Sequence, residues 1–316
     1  MLRFVLLFAV LVPQAWAQEY PSHPVRVVVP YGAGSNGEGG LRIVAPEVEK
    51  RLGQRLLIEP RPGGGGNVGA AAVAAAPADG YTLMLGATNN FTINQHLYKL
   101  SFDPVSAFEP VTIIFDVPFI MYASTTVPAR TVQEVVAYAK ANPGKLNYAS
   151  SGAGTPPHLA GEMVSALADI RMTHVPYKAA AQSIAALLAG EVHFYVGLVP
   201  GAQQHIDAGR IRVLATATPQ RVQRHPEAPS AREAGFPSMN ISTWWAFVAP
   251  KGTPKAVVDK LHQAVESAVR EPAVRERYAQ LGMVPVANRP AEFAAQIKAE
   301  AAAWGEFIRN RNIRIE

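Results

Sequence analysis

Short apolar, β-branched runs alternate with segments of helical spacing along almost the whole chain, and this alternation constrains the fold more than any other feature. The first run, Val25–Pro30, is apolar except for Arg26, which is typical of a strand covered on both faces. Helical spacing follows over residues 38–52, and further strand-like runs occupy residues 56–59 and 81–86. Strand–helix–strand units of this length build parallel sheets with right-handed crossovers. The sequence therefore predicts an α/β protein.

A second series of the same kind follows two strand-like pieces at residues 110–115 and 118–123. Because the C-terminal segment is mostly helical and can pack back on the first series, we expect the second series to be inserted in the first. The prediction is two Rossmann-like lobes with a ligand cleft between them, able to close by hinging. The expected limits are residues 18–117 plus 243–316 for lobe 1 and residues 118–242 for lobe 2.

The N-terminus predicts export from the cytoplasm. Residues 1–17 contain Arg3, the apolar run Phe4–Val12 and the small-x-small ending Ala15-Trp16-Ala17. This is the pattern of a secretory signal peptide, and the run is shorter than the ~18–20 apolar residues that span a bilayer. We expect cleavage before Gln18 and a periplasmic protein.

Composition excludes several kinds of site. The chain has no Cys, which excludes disulfides, thiolate metal sites and a thiol nucleophile. Its eight His show no paired spacing, so we expect no metal site and no cofactor. The formal charge is +5, but Lys and Arg are dispersed, so we expect no nucleic-acid partner.

The first glycine loop, Tyr31–Glu38, directly follows the first strand. It contains a G-x-G-x-x-G pattern, and Glu59 follows about 20 residues later, as in dinucleotide-binding folds. Export and the prolines beside Glu59 argue against a dinucleotide, whereas backbone N–H groups at a helix start bind anions in general. The alternative is a turn that only reverses the chain. The candidate ligand residues are Tyr31, Gly32, Ala33, Gly34, Ser35 and Glu38.

The second glycine loop, Ser150–His158, also follows a strand and precedes a helix. Ligands of open α/β sheets bind at this edge, and Asn89 follows another strand there. The candidate residues are Asn89, Ser150, Ser151, Gly152, Thr155 and His158. A hydrolase using Ser150 or Ser151 with His158 is an alternative, although no G-x-S-x-G elbow is present. Neither loop contains Lys or Arg, so we expect an anion to be held by neutral dipoles alone.

Several ordered motifs carry a resemblance to a known family. They are Pro30–Arg42, Arg61-Pro62-Gly63, Gly66–Gly69, Asp79–Leu83, Phe108–Val111, Tyr148–Gly152, His158–Glu162, Val175–Lys178, Leu188–Gly190, Glu233–Gly235 and Ala249–Pro254. Over nearly its whole mature length the chain resembles the Bug receptors, which are the substrate-binding receptors of tripartite tricarboxylate transporters.

The resemblance implies a periplasmic binding protein fold of the second type that is not an enzyme. It also implies capture of a small organic carboxylate, held by Tyr31–Ser35 and Ser150–Thr155, and delivery to membrane transporter subunits. We also expect the chain to be a monomer. A ligand sensor for a signalling receptor is an alternative. Glu38 stands where the family often has Asp, and the chain departs from the family pattern at Ser35, Ala179 and Gly197. Many members carry an acid at the last position, so this change disfavours an amino-acid ligand.

Overall fold

A computed structural model describes residues 20–315 of the chain, so the predicted signal peptide lies outside the described residues. The strands are β1 Val25–Val29, β2 Leu56–Pro60, β3 Thr82–Ala87, β4 Phe108–Ser124, β5 Asn147–Ser150, β6 Thr173–Pro176, β7 Phe194–Leu198, β8 Ile211–Thr216, β9 Ser242–Pro250 and β10 Val284–Pro285. The helices are α1 Asn36–Leu52, α2 Asn67–Ala74, α3 Thr88–Thr92, α4 Asn94–Leu97, α5 Val132–Ala141, α6 Pro156–Ala168, α7 Ala180–Ala189, α8 Val199–Asp207, α9 Lys255–Val269, α10 Pro272–Gln280 and α11 Pro290–Asn310.

The strands follow one path in the order β2-β1-β3-β9-β4-β7-β5-β6, with β8 and β10 paired to β4. Pairing is parallel within β2-β1-β3 and within β7-β5-β6, as the strand–helix–strand units predict. It is antiparallel wherever β4 or β9 takes part. The carboxyl ends of β1 and β3 therefore meet at one edge, and those of β5 and β6 at another.

The strand β4 joins the two parts of the sheet. The sequence predicts two strands here, and this was wrong, because Phe108–Ser124 is one strand. As far as Pro118 it pairs with β9, and from Phe119 onward it pairs with β7 and β8. Proline has no N–H to donate, and it is tolerated here because β4 changes partners at this residue.

Separate apolar cores lie on the two parts of the sheet. One core contains Val27, Leu41 and Phe247, and another contains Phe119, Tyr148 and Phe194. We call the part with β1, β2, β3 and β9 the first lobe and the part with β5–β8 the second lobe. Helices α9 and α10 contribute to the core of the first lobe, as expected of the C-terminal segment. The two-lobed α/β fold is thus confirmed, whereas the residue limits of the lobes remain a prediction.

Helix α11 contacts both lobes. Its Phe293 is buried in a first-lobe core, and its Ile308 packs on Leu159 of α6 in the second lobe. Just beyond the helix, Arg311 forms an ion pair with Glu162 of α6 at 3.0 Å. Within residues 20–315 none of the helices combines the length and apolarity needed to cross a membrane.

Candidate functional site

A cavity of about 640 Å³ is lined by residues of both lobes, a size typical of small-molecule sites. The first lobe contributes residues 31–36, Ala87, Asn89, Thr243 and Trp245. The second lobe contributes Ser151, Pro156, Pro157, Lys178, Ala179, Ala180, Ile184, Tyr195, Leu198 and Gly201, and Phe119 of β4 completes the lining. Both glycine loops therefore reach the same cavity.

The first glycine loop is fastened from behind by Glu38. The Glu38 carboxylate accepts the N–H of Gly34 at 2.9 Å and two N–H groups of Arg42 at 2.6 and 2.8 Å. The Gly34 hydrogen bond and Arg42 hold the pKa of Glu38 below its usual value, although burial opposes them. Gly34 has a positive φ of 78°, which favours glycine. Glu38 thus shapes the loop and does not line the cavity.

Several backbone N–H groups of this loop have no hydrogen-bond partner, and their residues line the cavity. Among the described residues, the N–H groups of Gly32, Ala33 and Asn36 have no hydrogen-bond partner. Asn36 begins α1, and the start of a helix carries a positive partial charge. Free N–H groups at helix starts bind anions in other proteins.

Tyr31 is held by a network of asparagines. Its hydroxyl donates to Asn89 Oδ1 at 2.8 Å, and Asn90 Oδ1 lies 3.1 Å away. The side-chain amides of Asn89, Asn90 and Asn94 in turn donate to the carbonyl of Gly65 at 3.0–3.2 Å. Asn89 lines the cavity, but its side-chain Oδ1 already accepts from Tyr31 and its side-chain amide already donates to Gly65. The glycine-rich turn around Gly65 therefore helps to fix the position of Tyr31, because the same asparagines hydrogen-bond both.

The second glycine loop is folded in on itself, and this differs from the sequence expectation. Ser150, Gly152, Thr155 and His158 do not line the cavity, and Ser151 is the predicted residue of this loop that does. Thr155 Oγ1 donates to the carbonyl of Gly152 at 2.6 Å, and His158 Nδ1 accepts the N–H of Gly154 at 3.0 Å. Polar side chains at a loop satisfy its backbone first, which turns them away from the cavity.

Ser150 pairs with His174, which the sequence analysis did not single out. The Ser150 Oγ lies 2.6 Å from His174 Nε2, and Ser150 is fully buried. The ring of His174 stacks on that of His158 with centroids 3.9 Å apart. Burial, and then the neighbouring His158, lower the pKa of His174 to about 4 against the opposing effect of Glu162. The alternative of a hydrolase that uses Ser150 with His158 is therefore not supported, because Ser150 pairs with His174 and does not line the cavity.

The structure adds residues that the sequence analysis missed. Lys178 is an exposed cation at the rim, so the expectation of neutral dipoles alone is incomplete. It lies two residues after the end of β6, and the sheet-edge rule could have found it. Trp245 is 5% exposed and lines the cavity with its ring edge-on to Tyr31. Tyr195 lies inside β7, where no local signal marks it.

The sequence profile of the receptors of the tripartite tricarboxylate transporter family matches residues 41–313. The chain belongs to this family. A relative from Cupriavidus necator, named "UPF0065 protein in gbd 5'region", is 35% identical over 298 residues, which are 93% of this chain and 90% of that protein.

Two solved structures show the same fold. The periplasmic binding protein BugD is 31% identical, covers 94% of this chain and 100% of its own, and superposes with a TM-score of 0.80. The R. palustris protein Rpa4515, solved with adipate, is 29% identical with the same coverage and a TM-score of 0.84.

Membership of this receptor family confirms the predicted kinship with Bug receptors and the expectation that the chain is not an enzyme. Members are receptors for small carboxylates that work with a membrane transporter. In the described part of the chain no group of three or more His, Cys, Asp or Glu is placed to hold a metal ion.

Proposed function

We propose that the chain is a periplasmic receptor that binds a small organic carboxylate in the cleft between its lobes and delivers it to a tripartite tricarboxylate transporter. The observation that carries the proposal is the set of free N–H groups of Gly32, Ala33 and Asn36 beside a cavity lined by both lobes. The adipate named with the related receptor supports the same ligand class.

The strength of binding follows from the number of donors. Hydrogen bonds to a charged group contribute about 1.5–3 kcal/mol each, and micromolar affinity needs about 8 kcal/mol. Three backbone donors with the hydroxyls of Ser35 and Ser151 reach that range once the cavity excludes water. In this proposal Tyr31 and Asn89 fix the wall, while Glu38, Ser150, Gly152, Thr155 and His158 hold the two loops in shape.

Lobe closure is the second part of the proposal. The chain crosses between the lobes in β4 and returns at the start of β9, where Pro118 is paired with Ser242. A ligand that contacts both lobes stabilises the closed arrangement by its additional contacts there. Small changes at this crossing can therefore move the rims of the cavity apart without unfolding either core.

Isothermal titration with benzoate, adipate, malate, citrate and L-glutamate tests the binding step. We expect at least one acid to bind without being consumed, and Ser151→Trp to abolish its binding because the indole would occupy the cavity. Ser101→Trp is the matched control, since Ser101 is exposed and does not line the cavity. Binding that persists in Ser151→Trp contradicts the proposed site.

Uptake of the bound acid by cells tests the delivery step. Cells that lack this chain should lose uptake, wild-type chain should restore it, and Ser151→Trp should not. Unchanged uptake together with loss of a transcriptional response would favour the sensor alternative.

A further inference from the structure

The second lobe presents its own hydrogen-bond donors to the cavity. Helix α7 begins at Ala180, and the N–H groups of Ala179 and Ala180 have no hydrogen-bond partner among residues 20–315. Both residues line the cavity beside Lys178 and Ser151. Free N–H groups at a helix start, with a cation next to them, favour an anion. The polar groups on this side of the cavity therefore come from two segments, the second glycine loop and the start of α7.

Ser150 joins these two segments. Its carbonyl oxygen accepts the N–H of Tyr177 at 2.9 Å and the hydroxyl of Ser183, in the first turn of α7, at 2.9 Å. Its own hydroxyl accepts the N–H of Gly152 in the second glycine loop at 3.1 Å. Ser150 and Ser183 are both fully buried. One buried residue outside the cavity thus hydrogen-bonds both segments that carry the donors.

The second glycine loop depends on such bonds for its shape. Gly152 and Gly154 have positive φ angles of 128° and 74°, so glycine replaces the backbone preferences that larger side chains would impose. Hydrogen bonds from side chains then decide where a loop of this kind lies. The orientation of the Ser150 hydroxyl is therefore a determinant of the position of Ser151, which follows it in the chain.

His174 fixes that hydroxyl. Its Nε2 lies 2.6 Å from the Ser150 Oγ, and its ring is held by stacking on His158 and Tyr148 with centroids 3.9 and 5.0 Å apart. Burial, and then His158, lower the pKa of His174 to about 4, so the ring is neutral at pH 7. His174 does not line the cavity. A neutral ring outside the cavity can influence a ligand only through the residues that it orients.

We propose that His174 is a positioning residue for ligand binding. By holding the Ser150 hydroxyl, it aligns Ser151 with the free N–H groups of Ala179 and Ala180, so that the second glycine loop and the start of α7 bind the same anionic group. This inference rests on the proposed function and concerns the second-lobe half of its site.

Isothermal titration of residues 18–316 and their variants tests the inference. The probe is whichever of benzoate, adipate, malate, citrate and L-glutamate binds the wild type most tightly. We expect His174→Leu to weaken binding by about tenfold or more, since each misaligned hydrogen bond costs about three- to tenfold. His174→Gln should recover most of this loss, because a glutamine amide can present either a donor or an acceptor near the position of Nε2.

The outcomes separate this inference from the proposed function. Unchanged affinity in His174→Leu, or equal losses in His174→Leu and His174→Gln, overturns the role of His174 and leaves the proposed function standing. No binding of any of the five acids to the wild type contradicts both.

A double-mutant cycle tests whether His174 acts through Ser150. Ser150→Ala should weaken binding about as much as His174→Leu, and the double variant should lose no more than the weaker-binding single variant. Losses that multiply in the double variant overturn the inference. If His174→Leu fails to fold, Ser150→Ala and His174→Gln decide, because an affinity of His174→Gln as low as that of Ser150→Ala overturns it as well.

His193→Leu is the matched control. His193 Nδ1 accepts the N–H of Asn147 at 3.2 Å, at the opposite end of β5 from Ser150, and His193 does not line the cavity. Its replacement also removes a histidine hydrogen bond to β5 and should leave the affinity for the same acid unchanged. A loss as large as in His174→Leu would mean that weakening β5 anywhere suffices, which overturns the positioning role.

Discussion

The first and second glycine loops each fasten a glycine N–H to a side chain four residues later, yet they present different surfaces to the cavity. Glu38 accepts from Gly34 at 2.9 Å in the first loop, and His158 accepts from Gly154 at 3.0 Å in the second. Glu38 is a carboxylate bound to Arg42, whereas His158 is an imidazole stacked on His174. Both loops are therefore held by a hydrogen bond of the same spacing, but the accepting group is a carboxylate in the first loop and an imidazole in the second.

The two helices that follow the loops extend this difference. Helix α1 begins Asn36-Gly37 and keeps its first donors, whereas α6 begins Pro156-Pro157 and has none at those positions. The start of α1 is therefore suited to a negative charge, whereas the start of α6 presents apolar proline rings. Two loops of similar composition at equivalent sheet edges are not two copies of one anion site.

The largest expected effect concerns how α1 packs behind the first loop. A Cβ on Gly37 would overlap the six-membered ring of the buried Trp245, so Gly37→Ala must displace that ring. We expect a loss of about 1–3 kcal/mol in the free energy of unfolding, typical of overpacking, together with weaker carboxylate binding. Urea denaturation and titration calorimetry measure the two effects.

Gly39→Ala is the control for this change, because a Cβ there meets no atom within 4 Å. It should be neutral or stabilise α1, since alanine favours a helix over glycine by about 0.5–1 kcal/mol. Equal effects of the two substitutions would contradict the close packing of the first loop on Trp245.

A smaller effect is expected when the charge that fastens the first loop is removed. Glu38→Gln keeps the shape of the side chain but weakens its hydrogen bonds to Gly34 and Arg42. We therefore expect the free energy of unfolding to fall by about 1–2 kcal/mol. Carboxylate affinity should fall as well, because the free N–H groups of the loop lose their fixed arrangement. The measurements are chemical denaturation and ligand titration.

Glu47→Gln provides the comparison on the same helix. Glu47 pairs with Arg51 at 2.6 Å with the same four-residue spacing, but it lies away from the loop. The Glu47→Gln substitution should lower the free energy of unfolding by about 0.5 kcal/mol or less and leave ligand affinity unchanged. If Glu47→Gln lowered ligand affinity as much as Glu38→Gln, the loss would come from weakening α1 as a whole and not from releasing the first loop.

The remaining effect concerns His174, which pairs with Ser150 of the second loop, and it depends on pH. The pKa of His174 is lowered from 6.5 to about 4 by burial and by His158, so between these values the unfolded chain binds more protons than the folded chain. The stability that neutral His174 contributes is complete above pH 6.5 and is lost as the pH falls toward 4. The slope of unfolding free energy against pH should therefore be steeper in wild type than in His174→Asn.

Comparing wild type with His174→Asn cancels the contributions of other titrating groups to the slope of unfolding free energy against pH. Burial raises the pKa of Asp116 to about 6, which stabilises the folded chain as the pH falls, but it does so equally in both proteins. Identical slopes for wild type and His174→Asn would mean that His174 is not held neutral in the folded protein.

The sequence by itself determined the class of fold and the positions of both loops. Apolar runs such as Val25–Val29, separated by helical periodicity, specify parallel strands, and chain direction then places the loops at the carboxyl ends of β1 and β5. Ordered motifs indicated the family in the same way. Local patterns suffice for these features because each depends on neighbours within a few residues along the chain.

Only the tertiary structure decided which side chains reach the cavity. Ser150 turns inward to His174, which lies 24 residues away in the chain. Tyr195, in the middle of a strand, lines the same cavity as Trp245 and Tyr31, although both are distant from Tyr195 in the sequence. A polar side chain in a loop can satisfy its own backbone or face a ligand, and the choice depends on partners that arrive from distant segments. This is the physical reason why the composition of the two loops predicted that both reach one cavity but not which of their groups point into it.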